Sequence, residues 1–407
     1  MNKILLKIVL SVFSLIIFQA CGDDDSTPAI PTDSYITADY EYPSRFADNE
    51  SSVSYTGQVV RNVIIKDLKT LASGNTSTAA EFEDLFSIGG ASTAPMLNPQ
   101  LQDDWSDFGS TKKLSDKIAT DNLLGWDITP TAAMNSWFNS VSTTTAVTDG
   151  SSTRYVDENN LELNQMIGKG LLGVVAYYQA INYLAKMEDD YATNNQPDGT
   201  GASYSTMEHH WDESFGYFGA AKTYNSYAND DARKGSQDIN GDGSIDYLTE
   251  YNFDWATYAA KRDIACATCS SDSDFTGSIM GAYIEGRTLI HNQGALSDIT
   301  AQRTIIANNW DKLIAANIIH YANAVIADID GGDNIVHAWA EMRAFSMALQ
   351  YNEYMLITGT DLSDVITLLG NNPPAEANYD TYKISLTSAV AKLKTAYMFE
   401  DVNVTVW

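Results

Sequence analysis

Apolar residues recur at helical spacing through almost the whole chain, and that constrains its folding more than any other feature. "GQVVRNVIIKDLKTLAS" (57–73) places Val60, Val63, Ile64, Leu68 and Leu71 on one face. "TAAEFEDLFSI" (78–88) opens on a capping-type Thr78 followed by acids. Further helical segments are expected at 131–142, 157–190, 205–224, 252–263, 274–293, 298–329, 334–352 and 382–399. The centre of 157–190 is apolar nearly all round, which implies burial inside a bundle. Alternating strand patterns are scarce. The spacing predicts an all-α protein of long antiparallel helices, in one bundle or two fused ones. A soft boundary is expected near 188–204, where "EDDYATNNQPDGTGAS" breaks the pattern.

The first residues point to export. "MNKILLKIVLSVFSLIIFQAC" has a basic start, a short apolar run and Ala20 before Cys21. That is the pattern of a lipoprotein signal over 1–20, with Cys21 taking the lipid. The run is too short for a membrane-spanning helix. "GDDDSTPAIPTDS" then reads as an acidic linker over 21–34, or as a surface-export signal. An outer-membrane lipoprotein, with the rest of the chain held by its anchor, is the expected location.

The formal charge of −29 argues against nucleic acid and anionic lipid headgroups as ligands. Cys266 and Cys269 form "CATC". In an oxidising compartment that is expected to be a local disulfide. A redox centre would need a βαβ context, and haem attachment a histidine where Ser270 stands.

"DINGDGSID" (238–246) puts Asp238, Asn240, Asp242, Ser244 and Asp246 at alternating positions, with Gly243 for the turn. Hard oxygens at that spacing suit structural Ca²⁺. The twelfth position holds Thr249, and Glu250 follows it. The competing reading is an acidic, glycine-rich loop without an ion.

Five histidines remain. In "TMEHHWDESFGYFGAAKTY" (206–224), Glu213 lies three residues from His210 and four from His209. His337 and Glu341 repeat the spacing on another helix, and His291 lies on a third. His209, His210, Glu213, His291 and His337 are therefore candidate iron or zinc ligands, since bundles build metal sites this way. The bland alternative is a set of polar contacts, with Arg287 and Arg343 pairing the acids. Gly216 and Gly219 inside a helical pattern suggest close approach by another helix or a ligand. No metalloprotease HExxH, nucleophile elbow, phosphate loop or dinucleotide fingerprint is present.

"YPSRF", "HHWDESFGYFG" and "EGRTLIHN" together make the chain resemble the bacterial lipoprotein family called domain of unknown function 4856, over about residues 35–400. That resemblance implies the company of TonB-dependent receptors and imelysin-like proteins, and through them iron or haem acquisition. Imelysin-like proteins are helical bundles with a Gly-x-His-x-x-Glu motif. His210 and Glu213 match its His-x-x-Glu part, while Glu208 stands in place of the glycine. Three functions follow as expectations: a binding protein for a metal, iron or haem species; a metallopeptidase with His210 as ligand and Glu213 as base or ligand; or a non-catalytic partner-binding lipoprotein.

Overall fold

The computed structural model describes residues 35–264 and 273–407. Its longer helices, numbered along the chain, are α1 (Thr56–Leu71), α2 (Pro130–Ser140), α3 (Leu163–Leu171), α4 (Tyr178–Leu184), α5 (Thr206–Phe218), α6 (Asp254–Arg262), α7 (Phe275–His291), α8 (Leu296–Gly331), α9 (Val336–Ser346), α10 (Gly359–Leu369) and α11 (Tyr379–Tyr397). A two-stranded antiparallel hairpin, β1 (Thr145–Asp149) and β2 (Ser152–Val156), is the one sheet among the described residues. The protein is all-α, as the periodicity predicts.

The axle is α8, whose 36 residues span about 54 Å. Both α7 and α9 pack along it, and α6 and α11 add to its sides. From α9 the contacts pass to α3, then α1, then α5, and return through α7. Six helices thus close a ring around one core. Trp211, Trp255, Trp310 and Trp339 are fully buried there. Trp310 meets Trp255, Tyr177 and Phe218 edge to face, the arrangement aromatic quadrupoles favour. Tyr35–Trp407 forms one compact unit. Because α4 packs on α5, the stretch 188–204 joins two packed helices and does not divide the protein into bundles.

The expected helix at 157–190 is more elaborate. The hairpin ends at Val156, and the Asp157 carboxylate turns the chain by accepting from Asn159 and Leu161 amides. Then α3 runs without a break through a π-helical stretch, Leu172–Tyr177, into α4. A π turn releases carbonyls from the helical ladder. Here the Leu172 carbonyl accepts from the Trp255 indole (3.1 Å), and the Val174 carbonyl accepts from the Ala119 amide (2.9 Å). Tertiary packing therefore holds the irregularity.

Candidate functional site

Helix α5 carries the most distinctive sequence string, and its ends are set locally. Ser205 caps it: the Ser205 hydroxyl accepts from the Glu208 amide, and the Glu208 carboxylate accepts from the Ser205 amide. The helix stops at Phe218 because Gly219 turns left-handed with φ of 75°. A side chain on Gly216 would lie 2.7 Å from Tyr55 Cβ and 2.8 Å from Gln58 Cβ. The close approach is therefore made by α1. Reciprocally, α7 needs Gly286, since a Cβ there would lie 2.1 Å from the Trp211 ring.

The inward face of α5 is a buried ion network. Glu208 and Asp212, four residues apart, both have no solvent exposure. Arg287 of α7, also fully buried, donates through Nε to Asp212 Oδ1 (2.9 Å) and through Nη1 to Glu208 Oε1 (2.9 Å). Its Nη2 donates to the Ser52 hydroxyl (2.7 Å). Asp212 also accepts from the Tyr40 hydroxyl and the Ser54 amide. Arg45 pairs with Glu208 at 3.1 Å. Tyr42 lies under the Arg287 guanidinium, 4.6 Å from ring centre to Cζ. Burial works to raise the Glu208 carboxyl, but the Arg287 and Arg45 charges outweigh it and hold Glu208 well below the usual carboxylate range. Asp212, deeper and with one guanidinium, is pushed up by burial. The strings "YPSRF", "HHWDE" and "EGR" thus meet at one buried cluster, and its role is to register three parts of the chain.

The outward face of α5 opens on a solvent-accessible groove of about 730 Å³, within the range of small-molecule sites. His209, His210 and Glu213 form one wall, and Gln179, Asn182, Tyr183, Lys186 and Lys117 the other. The His210 ring stacks on Tyr183 and its Nδ1 donates to Asp190 Oδ2 (2.6 Å). The His209 ring stacks on Tyr204 and its Nδ1 lies 3.1 Å from the Ser54 carbonyl. A carbonyl only accepts, so Nδ1 of His209 carries the proton. In both residues Nδ1 is engaged by an oxygen of the protein, and both rings line the groove. His209 Nε2 lies 3.9 Å from Glu213, whose carboxylate accepts from Gln58 Nε2 (2.7 Å). Lys117 donates to the Tyr183 hydroxyl at 2.9 Å. Burial raises the Tyr183 hydroxyl further from ionisation, with the Glu213 charge adding to it.

The remaining candidates lie elsewhere. His291 sits behind α5, 3.6 Å from Glu208. His337 donates to Glu162 (2.6 Å) and lies 3.6 Å from Glu341. The five histidine and glutamate candidates therefore do not share a centre. Among the described residues, no three His, Cys, Asp or Glu are gathered to hold a metal ion. Arg287 does pair with acids, but with Glu208 and Asp212; Arg343 instead donates to the carbonyls of Leu124 and Gly370 and stacks 3.7 Å over Trp126. Cys21, Cys266 and Cys269 fall outside the described residues.

In the acidic loop, Asp238 accepts from the amides of Gly241, Asp242 and Gly243, and Asp242 from that of Ser244. Asn240 bonds Asp242 in both directions. Asp246 accepts from Gln102 and Leu248. Glu250, almost fully buried, closes the loop by accepting from Ile239, Asn240 and Asp246 amides.

Sequence reasoning passed over the second wall of the groove. Gln179, Asn182, Tyr183 and Lys186 are spaced i, i+3, i+4, i+7, a polar stripe on an otherwise apolar helix, and that spacing was the available signal.

A closed ring of helices, with a histidine-lined groove open on one side of α5, defines an all-helical protein. The chain belongs to the family described as domain of unknown function (DUF4856), whose model matches residues 39–361. All three strings of the buried cluster lie inside that match, and α11 lies beyond it. No curated protein and no solved structure matches the chain. Similarity to imelysin-like proteins is not shown by these comparisons.

Proposed function

We propose that this protein is a lipid-anchored outer-membrane accessory to iron acquisition, which takes a metal carried in its own chelate, of the haem type, into the groove between α4 and α5. The observation that carries the reading is the pair of imidazoles whose Nδ1 atoms are committed to oxygen acceptors. That second shell orients Nε2 for a metal. A bare ion needs three or four protein donors, and the described residues gather no such set. A chelated iron needs only one or two, and His209 and His210 supply them. Lys117 and Lys186 on the facing wall suit the acidic arms of such a chelate. The anchor at Cys21, and a TonB-dependent receptor or an imelysin-like protein as partner, rest on the sequence and the family resemblance. No described helix is long and apolar enough to cross a membrane.

Titration of the purified chain with ferric haem, read by absorbance and by metal mass spectrometry, tests this. A one-to-one complex with an imidazole-ligated spectrum is expected, abolished in His209→Ala/His210→Ala. Failure to form any complex, or one indifferent to both histidines, removes the reading and leaves a structural, partner-binding lipoprotein. Metallopeptidase action is less supported, because Glu213 is already tied to Gln58 and lacks a metal set beside it.

For the loop closed by Glu250 we propose calcium binding at Asp238, Asn240, Asp242, Ser244 and Asp246, with a fold that does not depend on the ion. Calorimetry with Ca²⁺ on the wild type and on Asp242→Ala tests it; no heat in the wild type ends the proposal.

A further inference from the structure

Both groove histidines commit Nδ1 to an oxygen, but the two oxygens differ in kind. His209 meets the neutral carbonyl of Ser54 at 3.1 Å, whereas His210 meets a carboxylate, Asp190 Oδ2, at 2.6 Å. Asp190 lies outside the lining of the groove. It ends a short helix, Met187–Asp190, that follows α4. That helix is pinned from two sides. Met187 is fully buried, and Glu188 is gripped by Arg303 of α8, with Nη1 2.7 Å from Oε1. The Asp190 amide donates back to the Lys186 carbonyl (3.0 Å). Both side chains of the pair are largely withdrawn from water, Asp190 12% exposed and His210 19%. Tyr183 stacks on the His210 ring, with centroids 5.5 Å apart. Carboxylate, imidazole and groove thus follow one another, and packing fixes the first two.

His209 and His210 are consecutive on α5, and their rings are nearly parallel (18°) with centroids 6.5 Å apart, so both approach from one wall. A flat chelate offers that wall one face, and one imidazole takes it. His209 Nε2 lies 3.9 Å from Glu213, whereas Asp190 is the one hydrogen-bonding partner of the His210 ring among the described residues. A carboxylate bonded to the far nitrogen of an imidazole raises the basicity of the near one as a metal ligand. Its negative charge, where water screens poorly, also favours the more highly charged state of a metal. We propose that Asp190 is a positioning residue that makes His210 the ligand and sets the groove to prefer ferric over ferrous chelates. This rests on the reading of the groove as a chelate site and adds the oxidation state that the site selects.

The test uses the full chain as wild type, Asp190→Asn, Asp190→Glu, His209→Ala and His210→Ala, each checked for fold by circular dichroism. Each is titrated with ferric haem and, under dithionite, with ferrous haem, and the midpoint potential of the complex is read by spectroelectrochemistry. His210→Ala should lose the imidazole-ligated spectrum, and His209→Ala should keep it. Asp190→Asn should lower the ratio of ferric to ferrous affinity about tenfold, the size expected for loss of an outer-shell partner. That ratio is a rise of about 59 mV in the one-electron midpoint. Asp190→Glu, which keeps the charge, should recover most of the shift. A side chain that only shapes the wall would weaken both oxidation states alike and leave the potential where it was. That result, or a spectrum lost with His209 and kept without His210, overturns the proposal while the groove reading stands. No complex in the wild type ends the groove reading and this inference together.

Discussion

Replacing Arg287 with methionine should be among the most damaging single changes in the chain, and the structure says where the loss falls. Glu208 would keep Arg45 and the Ser205 amide as partners. Asp212 would keep only two neutral donors, the Tyr40 hydroxyl and the Ser54 amide, in a site with no solvent exposure. Removing one member of a buried pair costs about 3–5 kcal/mol, because the survivor is left uncompensated. Urea unfolding of Arg287→Met against the wild type measures it. Asp212→Asn added to that variant should return a large share. The pH dependence is a second signature. Without Arg287, burial raises the folded Asp212 carboxyl further above its unfolded value. Its favourable state is then the protonated one, present at low pH and lost as pH rises through the folded value. The variant's deficit should therefore shrink on acidification toward pH 4, by up to about 1.4 kcal/mol per pH unit. A loss under about 1 kcal/mol, or a deficit equal at pH 5 and pH 8, would refute the argument.

Other consequences are testable more briefly. Burial pushes the Asp311 carboxyl up to about 6, despite bonds from Leu356, Tyr397 and Tyr177. Stability should consequently fall as pH rises from 4 through 6, by as much as about 3 kcal/mol, and Asp311→Asn should flatten that slope in thermal melts. Gly286→Ala forces a methyl group into the Trp211 ring and should cost about 1–3 kcal/mol or more, read by denaturation and by Trp fluorescence. Glu250→Gln weakens an acceptor shared by three loop amides; a drop of about 1–2 kcal/mol is expected, with or without chelator. A drop confined to calcium-free buffer would show that the ion, rather than the carboxylate, holds the loop.

The helices were largely legible because each buries a stripe whose period survives in the sequence. At the π turn, tertiary partners overrule the local pattern. Nothing between Leu172 and Tyr177 distinguishes a π turn from an α turn until Trp255 and Ala119 arrive to take the freed carbonyls. The hairpin at 145–156 and α10 carried ordinary signals, an Asp-Gly turn and Leu362, Val365, Ile366 and Leu369 at helical spacing, and both went unread. The string "EHHWDE" was legible as chemistry but not as direction. Its acids Glu208 and Asp212 face inward to Arg287, while His209, His210 and Glu213 look into the groove; only the packing of α1 and α7 decides which face is which.

The π turn has a consequence for how the chain can change. It amounts to one extra residue in a helix that serves two neighbourhoods, Lys169 before it and the stripe from Gln179 to Lys186 after it. Each residue of an α-helix turns the axis by about 100°. Deleting one position between Leu172 and Tyr177 would restore an unbroken ladder and, in the same stroke, swing the far wall of the groove away from His209 and His210. The two halves are phase-locked by an insertion, so a single-codon deletion there should be worse tolerated than most substitutions around it.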